Sequence, residues 1–160
     1  MITHSSSVTF STLDRDILIY DSISFELYCR ISGLDSVPLR VNQYANESKV
    51  ILIMGDEKGH VSLLMLNRFA DTLREWKHSR SEVLVPSISI TEAAKHDNVS
   101  FYTWKVHKDW VTEVHYSKEL NAIISSSNHS QSAICISSMP ENTMGWNGNK
   151  SSKFKIRDSK

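Results

Sequence analysis

The chain has 160 residues, and its eighteen basic and eighteen acidic side chains cancel to a formal net charge of zero. That length suits one ordinary domain with a real hydrophobic core. The balanced charge excludes a polyanion-driven role, so neither a nucleic acid nor an acidic membrane surface is expected as an obligatory partner, and the aromatic and β-branched content is too high for a wholly disordered chain.

The N-terminus, Met-Ile-Thr-His-Ser-Ser-Ser, has no basic region followed by an apolar run, so no signal peptide is expected. The longest apolar stretches fall short of a membrane span, and a soluble, cytoplasmic protein is expected. Apolar-polar alternation predicts a first group of strands at 6–11, 17–21 and 25–31. Asp14 and Asp16 sit in the hairpin turn between the first two, where Asp is favoured because its side chain bonds to nearby backbone. A second group is predicted at 37–43, 49–54, 60–66 and 98–106. Asp56 and Glu57 fall in a turn of this group, with Gly59 as a turn residue at positive φ and His60 as its exposed neighbour.

Residues 67–97 interrupt the second group as an insertion. Leu66, Phe69, Leu73 and Trp76 recur at helical spacing among charged residues, which predicts a short amphipathic helix over 67–78 with Asn67 at its cap. Such a helix either covers its own sheet edge or receives a partner. Val83–Ile90 has strand character, but Pro86 confines it to an edge. A third group follows at 110–116, 120–126 and 132–137, and from Ser138 apolar residues nearly vanish. Residues 138–160, with Lys150, Lys153, Lys155 and Arg157, are expected as a disordered, solvated polar tail. Cys29 and Cys135 lie in alternating apolar stretches and are expected as buried free thiols.

Ser11–Asp21, Met54–Met65 and Ser126–Ile136 each set a polar turn before a short alternating strand. Tyr20 and Leu64 are about 44 residues apart, and Leu64 and Ile136 about 72, which is one period plus an insertion of roughly 28. His107 opens a stretch that reads as a histidine, a short turn, a strand, a polar turn and a second strand ending in Ser125-Ser126-Ser127. In order and spacing this resembles one unit of a WD-repeat β-propeller, and in detail the large multi-blade members of that family. The resemblance is strongest over 98–137, weaker over 37–66 and weakest over 1–31. It implies an all-β fold of antiparallel four-stranded blades, incomplete at about two and a half blades within 1–137, with the helix in an insertion. The implied blades are 6–31, lacking its innermost strand, then 37–106, then 110–137, which stops after three strands. In that family His, Ser, Asp and Trp side chains form a buried network. His107, Ser125 or Ser126, Asn128, and Tyr20-Asp21 stand at or near the corresponding positions, and no unit has all four. A chain of this kind is expected to be a fragment or an alternative product of a longer gene.

No catalytic, cofactor or metal site is expected. The seven histidines show no helical zinc pair, there is no Cys-x-x-Cys, and no phosphate-binding or nucleophile motif occurs. An enzyme built on a propeller channel would have only Arg40, Glu113 and His115 to work with. Trp76, Trp104 and Trp110 are either core and rim packing or anchors for a partner, since aromatics concentrate at interfaces. The expected role is therefore a non-enzymatic scaffold that presents loops to a protein partner, with the remaining blades of a longer chain as a second class of partner. A truncated product without independent activity is the alternative.

Overall fold

Period-two alternation and short apolar runs make strands of most of the described residues. The structure, a computed structural model, describes residues 7–11, 14–21, 23–45, 48–78, 87–140 and 156–157. In chain order the strands are β1 (Ser7–Ser11), β2 (Ile17–Asp21), β3 (Leu27–Ser32), β4 (Pro38–Ala45), β5 (Lys49–Asp56), β6 (His60–Asn67), β7 (Ser87–Ser89), β8 (Val99–Lys105), β9 (Val111–Ser117), β10 (Ala122–Ser127), β11 (Ile134–Ser138) and β12 (Ile156–Arg157). Helix α1 (Phe69–His78) follows β6, and the single turn α2 (Ile90–Ala93) follows β7. Among the described residues no helix is long and apolar enough to cross a membrane.

The strands form three mainly antiparallel four-stranded sheets, ordered β1-β2-β3-β7, β4-β5-β6-β8 and β9-β10-β11-β12. The first and third sheets correct the expectation of three strands each. In the first, the fourth strand is β7, which comes from the insertion and runs parallel to β3. This strand is the described part of the edge strand expected over Val83–Ile90, and the edge it forms belongs to the neighbouring sheet. In the third, Ile156 and Arg157 pair with Ser137 and Ile136. The tail expected to be disordered from residue 138 also begins too early: Ser138 closes β11, and Met139 is buried in the core between the second and third sheets, its N–H donating to the Asn121 carbonyl at 3.2 Å. Residues 141–155 and 158–160 lie outside the described residues, as does the Val83–Pro86 part of the expected edge strand.

The second sheet is apolar on both faces, because β5 and β6 are buried along nearly their whole length. One face carries Val50, Leu52, Met54, Leu64 and Leu66 and meets Ile17, Ile19, Cys29 and Ile31 of the first sheet. The other carries Ile51, Ile53, Val61, Leu63 and Met65 and meets Val111, Val114 and Ile123 of the third. Each fully buried aliphatic side chain contributes roughly 1.5–3 kcal/mol relative to exposure, so these two layers dominate the stability. Close approach matters as much as area. A Cβ on Gly55 would lie 2.4 Å from Val111 Cγ1, so glycine there lets β9 nestle against β5. Both cysteines are free thiols. Cys29 is buried as expected, whereas Cys135 on β11 is only half-buried.

The insertion seals the first interface. Arg68, with φ of 47°, turns the chain out of β6, so Asn67 ends the strand instead of capping the helix. Leu73 and Trp76 of α1 join the core between the first two sheets, together with Ile88, Ile90 and Ala93. Trp76 is 2 % exposed and meets the His96 ring edge-on at 5.9 Å. It is therefore a core residue and not a surface anchor. Ser89 accepts the Glu92 N–H and caps α2. At the other side of the first sheet Arg30 Nε donates to buried Asp16 Oδ2 at 2.7 Å, which compensates the one carboxylate this sheet encloses. Replacing Trp76 with Ala should destabilise the fold by about 3–5 kcal/mol, the usual cost of emptying a buried aromatic site. Urea unfolding followed by circular dichroism measures this, and a loss below about 1 kcal/mol, typical of surface positions, would place the ring outside the core.

Candidate functional site

The site begins at the turn between β5 and β6. Asp56 Oδ1 accepts the backbone N–H groups of Lys58 and His60, both at 2.8 Å. Its Oδ2 accepts from Ser36 and lies 3.1 Å from His60 Nδ1. The bonds to Lys58 and His60 are turn construction, as the sequence position suggested, while Ser36 ties the β3–β4 connection to the turn. The turn ends at Gly59, whose φ is 79°. A Cβ there would lie 2.3 Å from the carbonyl oxygen of His107 and 2.5 Å from that of Asp109. Only a hydrogen fits in that space. The Gly59 carbonyl in turn accepts the N–H groups of Val106 at 3.1 Å and His107 at 3.0 Å. The second sheet's turn thus grips the connection that leads into the third sheet.

His107 continues the grip inward. It is 1 % exposed. Its Nδ1 faces the Ser132 carbonyl oxygen, which has no proton, so Nδ1–H is the donor. Nε2 then accepts the Ser125 hydroxyl at 2.8 Å. This is the neutral imidazole with its proton on Nδ1. Burial holds the ring's pKa below its ordinary 6.5; the Ser132 carbonyl opposes that and the nearby Lys105 charge reinforces it. Around this pair the Ser127 hydroxyl donates to the Ser132 carbonyl at 2.9 Å, and the Lys108 N–H donates to Ser132 Oγ at 3.2 Å. One histidine therefore ties the β8–β9 connection to β10 and to the short 3-10 turn Ser130–Ser132.

The structure brings together only some of the residues singled out in the sequence. His107 and Ser125 meet. Ser126, one residue on, points to the opposite face of β10, where its Oγ lies 3.0 Å from Thr112 Oγ1. Asn128 is exposed and stands outside the network; the Ser132 carbonyl takes the place expected for an acidic acceptor. Tyr20 and Asp21 lie at the end of β2, in the first sheet, and take no part. Asp21 Oδ1 instead accepts the N–H groups of Ile23 at 2.8 Å and Ser24 at 2.9 Å, and those bonds hold its carboxyl below the ordinary value. Ser127 and Ser132 were missed, because a serine-rich stretch gives no hint of which hydroxyl turns inward and a carbonyl acceptor has no side-chain signature.

The tryptophans separate by burial. Trp104 is 9 % exposed, and its Nε1–H points to Ser137 Oγ at 3.4 Å, bridging the second and third sheets. It is packing, not a surface contact. Trp110 is 50 % exposed at the end of the gripped connection. Arg40 spends its guanidinium on the carbonyls of Thr112 and Leu39, joining β4 to β9, while Glu113 and His115 are exposed on β9. Among the described residues no three His, Cys, Asp or Glu side chains converge as a metal site. No protein-family model matches the chain, and no curated protein matches it.

Two measurements check this site. Ser125→Ala leaves His107 Nε2 buried without a donor and should cost about 1–3 kcal/mol, whereas Ser126→Ala should cost below about 1 kcal/mol, the scale of a cross-strand hydroxyl pair. Equal losses in denaturant melts would contradict the assignment. The depressed pKa also sets a pH dependence. The unfolded chain protonates this histidine below its ordinary 6.5 while the folded chain resists, so the unfolded state binds more protons and stability falls as pH drops through that region. Between about pH 7 and pH 5 the stability of His107→Gln should decline less steeply than that of the parent protein; parallel slopes would show that the ring titrates freely in the fold.

Proposed function

We propose that the chain is a WD-repeat β-propeller segment acting as a non-enzymatic scaffold, and that the connection 107–110 is its presenting loop. The observation that carries this reading is the contrast between a buried root and an open tip. His107 is 1 % exposed and bonded through both ring nitrogens, while Trp110, three residues on, is 50 % exposed. Holding a large aromatic out on a rigid base lowers the ordering cost of binding, and such residues dominate interface energies. The partner is a protein with an apolar pocket for the indole.

A photo-reactive phenylalanine at position 110 tests this by crosslinking in cells. For a protein captured there, Trp110→Ala should weaken binding by about 2 kcal/mol or more, roughly 30-fold in Kd. Leu120→Ala removes a residue 62 % exposed on another turn and should leave binding within about threefold. Equal effects at both positions would refute the presenting-loop reading. A second reading, a truncated product that needs further blades, is favoured by Ile134, which is 66 % exposed on the third sheet. Thermal unfolding of the isolated chain beside size-exclusion chromatography separates the two. A sharp transition from a defined species supports the scaffold, and a broad one from an aggregate supports the truncated product.

A further inference from the structure

The outward face of the third sheet carries an apolar row on β10 and β11, bordered by Glu113 and His115 of β9, at the place where the second sheet has the row that buries it. In the second sheet the row toward the third contains the cross-strand pairs Ile51 with Met65 and Ile53 with Leu63. In the third sheet the corresponding pairs on the outward face are Ile124 with Ile136 and Ser126 with Ile134. The first row is closed over by Val111, Val114 and Ile123. The second leaves Ile134 66 % and Ile136 39 % exposed. At the opposite end of the stack, Ile17, Ile19, Cys29 and Ile31 face inward. Strand alternation therefore turns Leu18, Tyr20, Tyr28 and Arg30 outward.

We infer that two copies of this chain join head to tail, the outward face of the third sheet in each copy packing on the outward face of the first sheet in the other. The two end faces are unlike, so each completes the other and not itself. The isoleucine row of one end meets the Leu18-Tyr20-Tyr28 row of the other, and exposed Glu113 at one end faces the Nη1 side of Arg30 at the other, whose Nε and Nη2 serve Asp16 and whose side chain is 47 % exposed. The contact continues the sheet-on-sheet stacking already present twice within the chain. With both ends used in both copies the ring closes under two-fold symmetry and leaves no open face. This rests on the stacked sheets and not on the presenting loop, so either can fail without the other.

Sedimentation velocity of the purified full chain tests it. The parent protein should run at twice its 18.2 kDa mass across micromolar concentrations. Ile134→Asp and Tyr28→Asp should each give monomers that keep the parent's circular dichroism spectrum, since both side chains are exposed in the single chain; Ile136→Asp replaces the first variant if it misfolds, and Tyr28→Lys the second. Mixing the two charged variants should restore a dimer, because one of the two contacts is then intact. A monomeric parent overturns the inference. So does a dimer that Tyr28→Asp leaves untouched, which would mean that like faces pair, and so does an open-ended ladder of masses, which would mean that the ring does not close.

Discussion

The position of the third sheet on the second depends on a single close approach of backbone to backbone. The turn ending at Gly59 meets the carbonyls of His107 and Asp109 at distances that admit no side chain. The same glycine's carbonyl takes two N–H groups from the approaching strand connection. Hydrogen bonds supply the direction and the missing Cβ supplies the space. Gly55, four residues earlier on β5, makes room in the same way for the side chain of Val111. Apolar burial between the two sheets supplies most of the free energy, but it is non-directional. The backbone grip and the neutral His107 fix which way the sheets face.

The two interfaces within the chain are closed by different means. Between the first and second sheets the seal is almost wholly apolar. Helix α1 and the segment from Ile88 to Ala93 fill it. Between the second and third sheets the apolar layer is thinner and a polar lock sits beside it, built from His107, Ser125, Ser127 and Ser132. Buried polar groups are costly unless each is satisfied. This lock is satisfied through a carbonyl and hydroxyls, without a formal charge.

Most of the architecture was legible because alternating stretches and short apolar runs, bounded by turn residues, are strong signals. β5 and β6 begin where the sequence places them, and β8 and β9 lie within a residue of their expected bounds. The positive φ of Gly59 and the turn role of Asp56 followed from residue chemistry alone. What stayed hidden was non-local. Alternation shows Ser87–Ser89 as an edge strand but not which sheet it will join, since parallel pairing with β3 leaves no mark in the local pattern. Helical spacing identified α1 but could not say whether Trp76 faced a core or a partner, and only the presence of Ile88, Ile90 and His96 above it decides that. His107 was readable through its place at the head of the stretch that resembles a WD-repeat unit; which serine it meets was not, because alternation selects Ser125 over Ser126 only once the inward face of β10 is known.

The parallel pairing of β7 with β3 has a consequence for the order of events on the ribosome. Strands β1 to β3 emerge first, yet their sheet lacks its outer strand until residues 87–89 have been made, after β4, β5, β6 and α1. Non-local pairing of this kind carries a loop-closure cost before any contact rewards it. The first sheet therefore waits until the central strands of the second, β4 to β6, have been made, and β3 keeps an unpaired edge until residues 87–89 emerge. That edge is the place where a chaperone, or a neighbouring nascent chain, would meet this protein before it is whole.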